Sequence, residues 1–383
     1  MRNFIDEYLP MRKNITYWIK IILLLVLLQS CKSTTTLMKQ EAALADKMGS
    51  RQTEYLYNRI KEIAKVGYAF GHQDATAYGM GWKNDGSIKR SDVHDVSGAY
   101  PAVYGFELGH IELGHSINLD TLDFKLMQKL IQRAHKMRGI VTLSWHPDNP
   151  VSKKSAWDTT AAVTEILKGG NLHNEYKAWL SKLANFMNEL KDESGHGIPV
   201  VFRPFHEMNG DWFWWGKGNC SPEEYISLWR ETFDILTKEY SVHNMLYAYS
   251  PNTLEKKEDY LKYYPGDLYV DILGIDIYQH GSSEEFIEAL KNDIGLLQKI
   301  ATDKNKPYVL SEAGLNEIPI ANWWTEVLDR HIAKSGISWA LFWRNAWPNH
   351  YFAPYPGQAS ASDFILYKNL SHVLFLNDVK KIR

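Results

Sequence analysis

The chain has 383 residues, 45% of them hydrophobic and 23% charged, with a formal net charge of -2, an ordinary globular balance. That near-neutral charge excludes nucleic acid or an anionic membrane surface as the principal partner. The length accommodates two domains or one α/β barrel, which needs ~250 residues before insertions. The 14 Trp and 22 Tyr suit either a sugar-stacking cleft or a large aromatic core.

At the amino terminus Arg12, Lys13 and Lys20 precede the apolar run Ile21–Leu28, followed by Gln29-Ser30-Cys31. The run is far short of the ~20 residues that span a bilayer, so residues 1–30 read as an export signal. Met11 opens a more compact version of the same signal. Leu28-Gln29-Ser30-Cys31 resembles the lipobox of bacterial lipoproteins, which implies a lipid on Cys31 and leaves Cys220, the other cysteine, without an intramolecular partner. Residues 31–50 read as a polar tether. Acidic residues behind the cysteine would resemble a surface-export signal; their absence leans towards a periplasm-facing anchor, with the lipid as the only membrane contact.

From residue 51 onward, strand-length apolar runs occur at Val66–Gly71, Pro101–Leu108, Gly139–His146, Ile198–Glu207, Asn244–Ser250, Val270–Tyr278, Pro307–Gly314 and Ile337–Arg344. Their nearly continuous apolar character is that of parallel strands buried on both faces. Helical periods separate them. Leu122, Leu126, Leu130, Ala134 and Met137 share one face, with Asp120 as the expected cap and Gly139 as the stop. Ser221-Pro222-Glu223-Glu224 places a cap, a first-turn proline and acids at a helix start; Trp229, Phe233 and Leu236 continue the buried face. Phe286, Leu290, Ile294 and Leu297 repeat the pattern. Eight strands with intervening helices predict an α/β fold, a (β/α)₈ TIM barrel forming one catalytic domain over residues 51–383. A doubly wound open sheet is disfavoured because no Gly-rich loop follows the first strand. The long connections fall at Asp74–Ala99, Pro147–His196 and Asn345–Asp363.

In a barrel the site forms at the carboxyl ends of the strands. Those ends offer His72, Gln73 and Asp74; Trp145 and His146; Arg203, His206 and Glu207; Asp276 and Tyr278; Glu312; and Trp343, Arg344 and Asn345. Glu207 and Glu312 each close an apolar run, and two such carboxylates are the minimum apparatus for breaking a glycosidic bond. The competing reading pairs them structurally with Arg203. His72, His146 and His206 lack zinc-site spacing, so no metal and no cofactor are expected.

The stretch Arg203-Pro-Phe-His206-Glu207-Met-Asn-Gly-Asp-Trp212-Phe-Trp-Trp215-Gly216 resembles glycoside hydrolase family 26, best known for β-mannanases. Gly71–Asp74, Ser144–His146, Gly274–Tyr278, Ser311–Gly314 and Phe342–Asn345 match in the same order. Related families carry Asn before the acid/base glutamate, and His206 favours family 26. The resemblance implies Glu207 as acid/base and Glu312 as nucleophile of a retaining mechanism. It implies Trp212 as a sugar-stacking residue and Tyr278 as the partner of the nucleophile. His146 and His206 would surround the −1 sugar, Trp343 would be its aromatic floor, and Arg344 would reach subsite −2. Trp157 and His350 lie in stretches that depart from the pattern and are not carried over. The implied substrate is β-1,4-mannan, glucomannan or galactomannan, cut internally or from an end with release of mannobiose. The alternatives are another β-linked glycan (β-1,3-xylan or mixed-linkage glucan) and a catalytically dead glycan-binding lipoprotein.

Overall fold

Eight of the apolar runs become strands because each is buried on both faces. They are β1 (Tyr68–Gln73), β2 (Val103–Glu107), β3 (Ile140–Trp145), β4 (Val200–Pro204), β5 (Met245–Tyr249), β6 (Ile272–Gln279), β7 (Tyr308–Leu315) and β8 (Trp339–Phe342). The computed structural model describes residues 44–382, so the export signal and Cys31 lie outside the described residues. Each strand pairs in parallel with its successor. Ala69 to His72 of β1 then pair with Trp339 to Phe342 of β8 and close the ring. This is the expected (β/α)₈ barrel. A late pair, Val373–Leu374, adds to the foot of β1.

The outer helices include α1 (Arg51–Val66), α2 (Phe124–Lys136), α3 (His173–Glu189), α4 (Pro222–Asp234), α5 (Lys257–Lys262) and α6 (Ser283–Lys304). α4 starts as its sequence dictates: Ser221 Oγ accepts from Glu224 N, and the Glu224 side chain accepts from Ser221 N, a reciprocal cap. Trp229, Phe233 and Leu236 are buried, as are Phe286, Leu290, Ile294 and Leu297 of α6.

Three expectations are corrected. The cap of α2 is Asp123, whose carboxylate accepts from Leu126 N at 2.9 Å; Asp120 points inwards to a buried ion pair with Arg344. Gly139 does not stop α2 by its conformation. It is glycine because a Cβ there would lie 2.6 Å from the Tyr104 ring, while Arg138 takes the left-handed turn at φ 63°. The connection Pro147–His196 is no mere insertion, since it carries α3.

The folded unit also begins earlier than residue 51. Leu44 and Ala45 are buried, Ala45 N donates to Asp271 Oδ1 at 2.7 Å, and Ser50 N donates to His243 O at 2.9 Å. Among the described residues no helix is long and apolar enough to cross a membrane.

Candidate active site

Glu207 lies beyond the end of its strand. β4 ends at Pro204 because Phe205 (φ 48°) and Glu207 (φ 54°) turn into the left-handed region, which side-chain-bearing residues enter at a cost of order 1–3 kcal/mol. The kink is held by Glu207 N donating to Ser250 O at 2.8 Å, across to the end of β5. The carboxylate accepts from Trp212 Nε1 and from Asn252 Nδ2, each at 2.8 Å. Burial raises the Glu207 pKa first, and the negative charge of Glu312 raises it further; the two hydrogen bonds only partly oppose this.

Glu312 sits within β7 where the ladder slips on both sides. Ile275 faces Leu310 while Asp276 faces Glu312, and Ala340 faces Leu310 while Phe342 faces Ala313. The extra residue in β7 is a bulge, a device that re-aims a side chain. Glu312 is buried and receives Tyr278 Oη at 2.7 Å on one oxygen and Arg203 Nη2 on the other. Both donors stabilise negative charge on it. Arg203 also donates from Nη1 to Asp276 Oδ2 at 2.8 Å and to Ser250 Oγ at 3.1 Å. The structural reading of a glutamate paired with Arg203 is therefore half right: Glu312 has that pair and Glu207 does not.

His146 and His206 stand edge to face, with ring centroids 4.4 Å apart. His146 Nδ1 bonds Glu107 Oε2 at 2.8 Å, and Glu107 Oε1 accepts from the backbone N of His146 and Gly109. Burial alone would raise the Glu107 pKa, but the His146 charge, Ser144 Oγ and the backbone donor outweigh it and bring it to about 2. Burial works against the charge on His146, yet Glu107 holds its pKa above the ordinary imidazole value. Burial and Arg203 push His206 the other way, towards the neutral form. The two neighbouring imidazoles are thus biased in opposite directions, His146 towards the charged form and His206 towards the neutral one.

The mouth is rimmed by tryptophan. Trp145, Trp214, Trp215, Trp229, Trp323, Trp324 and Trp339 are fully buried, so most of the aromatic excess is core. Among the described residues the exposed ones are Trp157 (48%), Trp212 (36%) and Trp347 (49%), and they lie on the loops that follow β3, β4 and β8. Trp157 stacks on His146 at 5.3 Å, which brings the divergent stretch to the site. Trp343 is half-buried with its ring 6.4 Å from His146. Arg344 is held by Asp120 at 3.0 Å and by Tyr78 Oη at 3.1 Å, and it packs over Trp347 at 5.3 Å.

All eight expected site residues lie on one rim of the barrel: Tyr278 and Glu312 in the carboxyl-terminal halves of β6 and β7, the other six in the segments that follow their strands. His72 stays in the wall, buried on β1 opposite Phe342, and desolvation lowers its pKa to about 3. Asn345 serves the fold, bonding Asp92 and Ala353 O. Among the described residues His206, Asp276 and Glu312 are close enough to share a cation; the positive charge facing this group is the Arg203 guanidinium, bonded to both acids. Sequence reasoning missed Glu107 and Asn252. Glu107 had a readable signal, an acid closing an apolar run at β2. Asn252 had none, since only the fold brings it to Glu207.

Two carboxylates on one rim of a (β/α)₈ barrel, Glu207 with its pKa raised by burial and Glu312 bonded to Arg203 and Tyr278, with exposed tryptophan around them, match the layout of the glycoside hydrolase class. The chain belongs to glycosyl hydrolase family 26, whose sequence model matches residues 45–328. It is 34% identical over 281 residues to a mannan endo-1,4-beta-mannosidase of Bifidobacterium adolescentis, covering 71% of this chain but 28% of that protein. A mannan endo-1,4-beta-mannosidase of Bacillus subtilis is 31% identical over 234 residues, 58% of this chain and 61% of its own length. The chain therefore spans less than two thirds of these relatives. Among solved structures, a GH26 beta-mannanase from Bacteroides ovatus superposes with a TM-score of 0.84 at 42% identity, over 86% of this chain and 96% of that one. A modular endo-beta-1,4-mannanase from Cellulomonas fimi gives 0.80 at 31% identity, over 88% and 78%.

Proposed function

We propose that this protein hydrolyses β-1,4-mannosidic bonds in mannan, glucomannan or galactomannan with retention of configuration. The observation that carries this reading is the unlike surroundings of two carboxylates on one rim: burial favours a proton on Glu207, while Glu312 accepts hydrogen bonds from Arg203 and Tyr278. Relatives named as mannanases support the substrate.

In the reaction Glu312 attacks the anomeric carbon as Glu207 protonates the leaving oxygen, giving a glycosyl ester. Glu207, now ionised, takes a proton from water, which displaces Glu312 from the sugar. Trp343 lies under the ring at the cleavage point, where positive charge spreads over C1 and the ring oxygen. His146 and His206 address the hydroxyls of that ring, Trp212 stacks on the departing sugar, and Arg344 reaches the next sugar on the other side.

A time course on β-1,4-mannohexaose with a reduced end tests the reading and its mode together. Mixed product lengths in the first minutes mean internal cutting; disaccharide alone means cutting from an end. Failure to cleave any mannan would sink the proposal. The reading extends to a lipid on Cys31 that anchors the catalytic unit at the membrane on the periplasmic side. Cys31→Ala should then move the protein from the membrane to the soluble fraction.

A further inference from the structure

We infer that Glu112 is a positioning residue for His146: its buried carboxyl clamps the loop after β2 to the end of β3 and so sets the imidazole at the cleavage point. The inference rests on the mannanase reading, in which His146 addresses the sugar ring being cut, and carries it one layer deeper.

Glu112 is fully buried, and an acid in such a place destabilises the fold unless its oxygens are bonded. Its Oε2 accepts from Trp145 Nε1 at 3.0 Å. Its Oε1 accepts from Asp148 N at 3.0 Å and from His110 N at 3.2 Å. Trp145 and Asp148 bracket His146 in the chain, so one carboxyl on a different loop grips the segment on either side of the imidazole. Lys182 Nζ reaches from α3, donates to Glu112 O at 2.6 Å and holds the grip from behind.

The loop after β2 divides this work between two copies of one tetrapeptide, Glu107-Leu-Gly-His110 and Glu112-Leu-Gly-His115. The first glutamate takes the His146 ring at Nδ1; the second takes the backbone around it. Gly109, between them, lets the loop lie directly on His146, since a Cβ there would stand 2.9 Å from His146 O. Leu108 N donates to Ser144 O at 2.9 Å and continues the seam towards β3.

Only a side chain that accepts at both ends serves here. Every bond that the described residues make to the Glu112 carboxyl comes from an N–H. An amide would turn its NH2 towards either the indole or the two backbone donors, and an apolar side chain would leave all three donors unpaired. Either change frees Trp145 or Asp148 and displaces His146 against Glu107. Burial opposes the His146 charge, the charge and bond of Glu107 outweigh it, Glu312 adds to them and Arg203 subtracts. A longer bond to Glu107 therefore lowers the His146 pKa, which gives the clamp a readout apart from activity.

The test follows the His146 titration by nitrogen NMR in the full chain labelled at histidine, its signal assigned by its loss in His146→Asn. In Glu112→Gln the His146 pKa should fall towards the ordinary imidazole value. kcat/KM for β-1,4-mannopentaose should fall about tenfold, the weight of one or two buried hydrogen bonds. Lys182→Met, at an exposed residue, should move both readouts the same way by less, and it carries the test if Glu112→Gln does not fold. A His146 titration that stays put overturns the inference, because a merely structural glutamate would lower Tm without moving that imidazole. In Glu112→Gln, kcat/KM within twofold of wild type overturns it as well. A wild-type protein that cleaves no mannan removes the mannanase reading and this inference with it. The two failures are told apart because the titration needs no substrate.

Discussion

Glu207 keeps its proton by being buried beside another negative carboxylate, and its duty as acid ends when the pH rises through its elevated pKa. The basic limb of kcat/KM against pH should therefore belong to it. With an aryl β-mannobioside, Glu207→Gln should lose that limb, while hydrolysis of unactivated mannan falls by about 10²–10⁴; a limb that persists unchanged removes Glu207 from the role. Glu312→Ala should be inactive until azide is added, and the azide product should have inverted configuration. Full activity without azide would contradict a nucleophilic Glu312. Both glutamates were legible because each follows a buried apolar run on one rim. Their different surroundings were legible only in part. Arg203 and Tyr278 were foreseen as partners of Glu312, but Asn252 reaches Glu207 from a different loop and no local pattern announces it. The left-handed turns at Phe205 and Glu207 were equally hidden, since neither residue type advertises a positive φ.

Among the elements, the strands were the easiest to read and the helix ends the hardest. Continuous Val, Ile, Leu and Phe runs have one stable destiny in an α/β chain, a strand covered on both faces, and all eight occur where the pattern put them. Caps depend on single hydrogen bonds. Asp120 and Asp123 both precede α2 with the same chemistry, and the choice between them came from Arg344, which pairs with Asp120. Ser221 is unambiguous because proline and Glu224 follow it in the reciprocal arrangement. Ser221→Ala should cost ~1 kcal/mol, seen as a lower midpoint in urea with an unchanged slope. No change in midpoint would mean that the α4 cap contributes nothing measurable.

Across the whole molecule, buried carboxyls set how stability responds to pH. Burial raises Glu112 and Asp293 to about 7 and Asp120 and Asp271 to about 6. A carboxyl whose folded pKa exceeds its unfolded value contributes stability that is complete below the unfolded value and lost as pH rises through the folded one. Thermal stability should therefore decline between about pH 4 and pH 8, a trend that Glu107, depressed to about 2, opposes only at the acid end. Asp293 is the cleanest probe: its Oδ1 accepts from Leu254 N at 3.1 Å, while its Oδ2 meets no partner among the described residues. Asp293→Asn keeps the acceptor and removes the ionisation, so it should narrow the Tm gap between pH 5 and pH 8. An unaltered gap would show that Asp293 does not titrate in that window. The ring closed by β1 against β8 gives this loss a particular form. A hoop without a free margin cannot peel from one side, so the staves bearing Glu207 and Glu312 keep their spacing until the whole hoop gives way. A change that opens the ring should therefore disturb both reacting groups together.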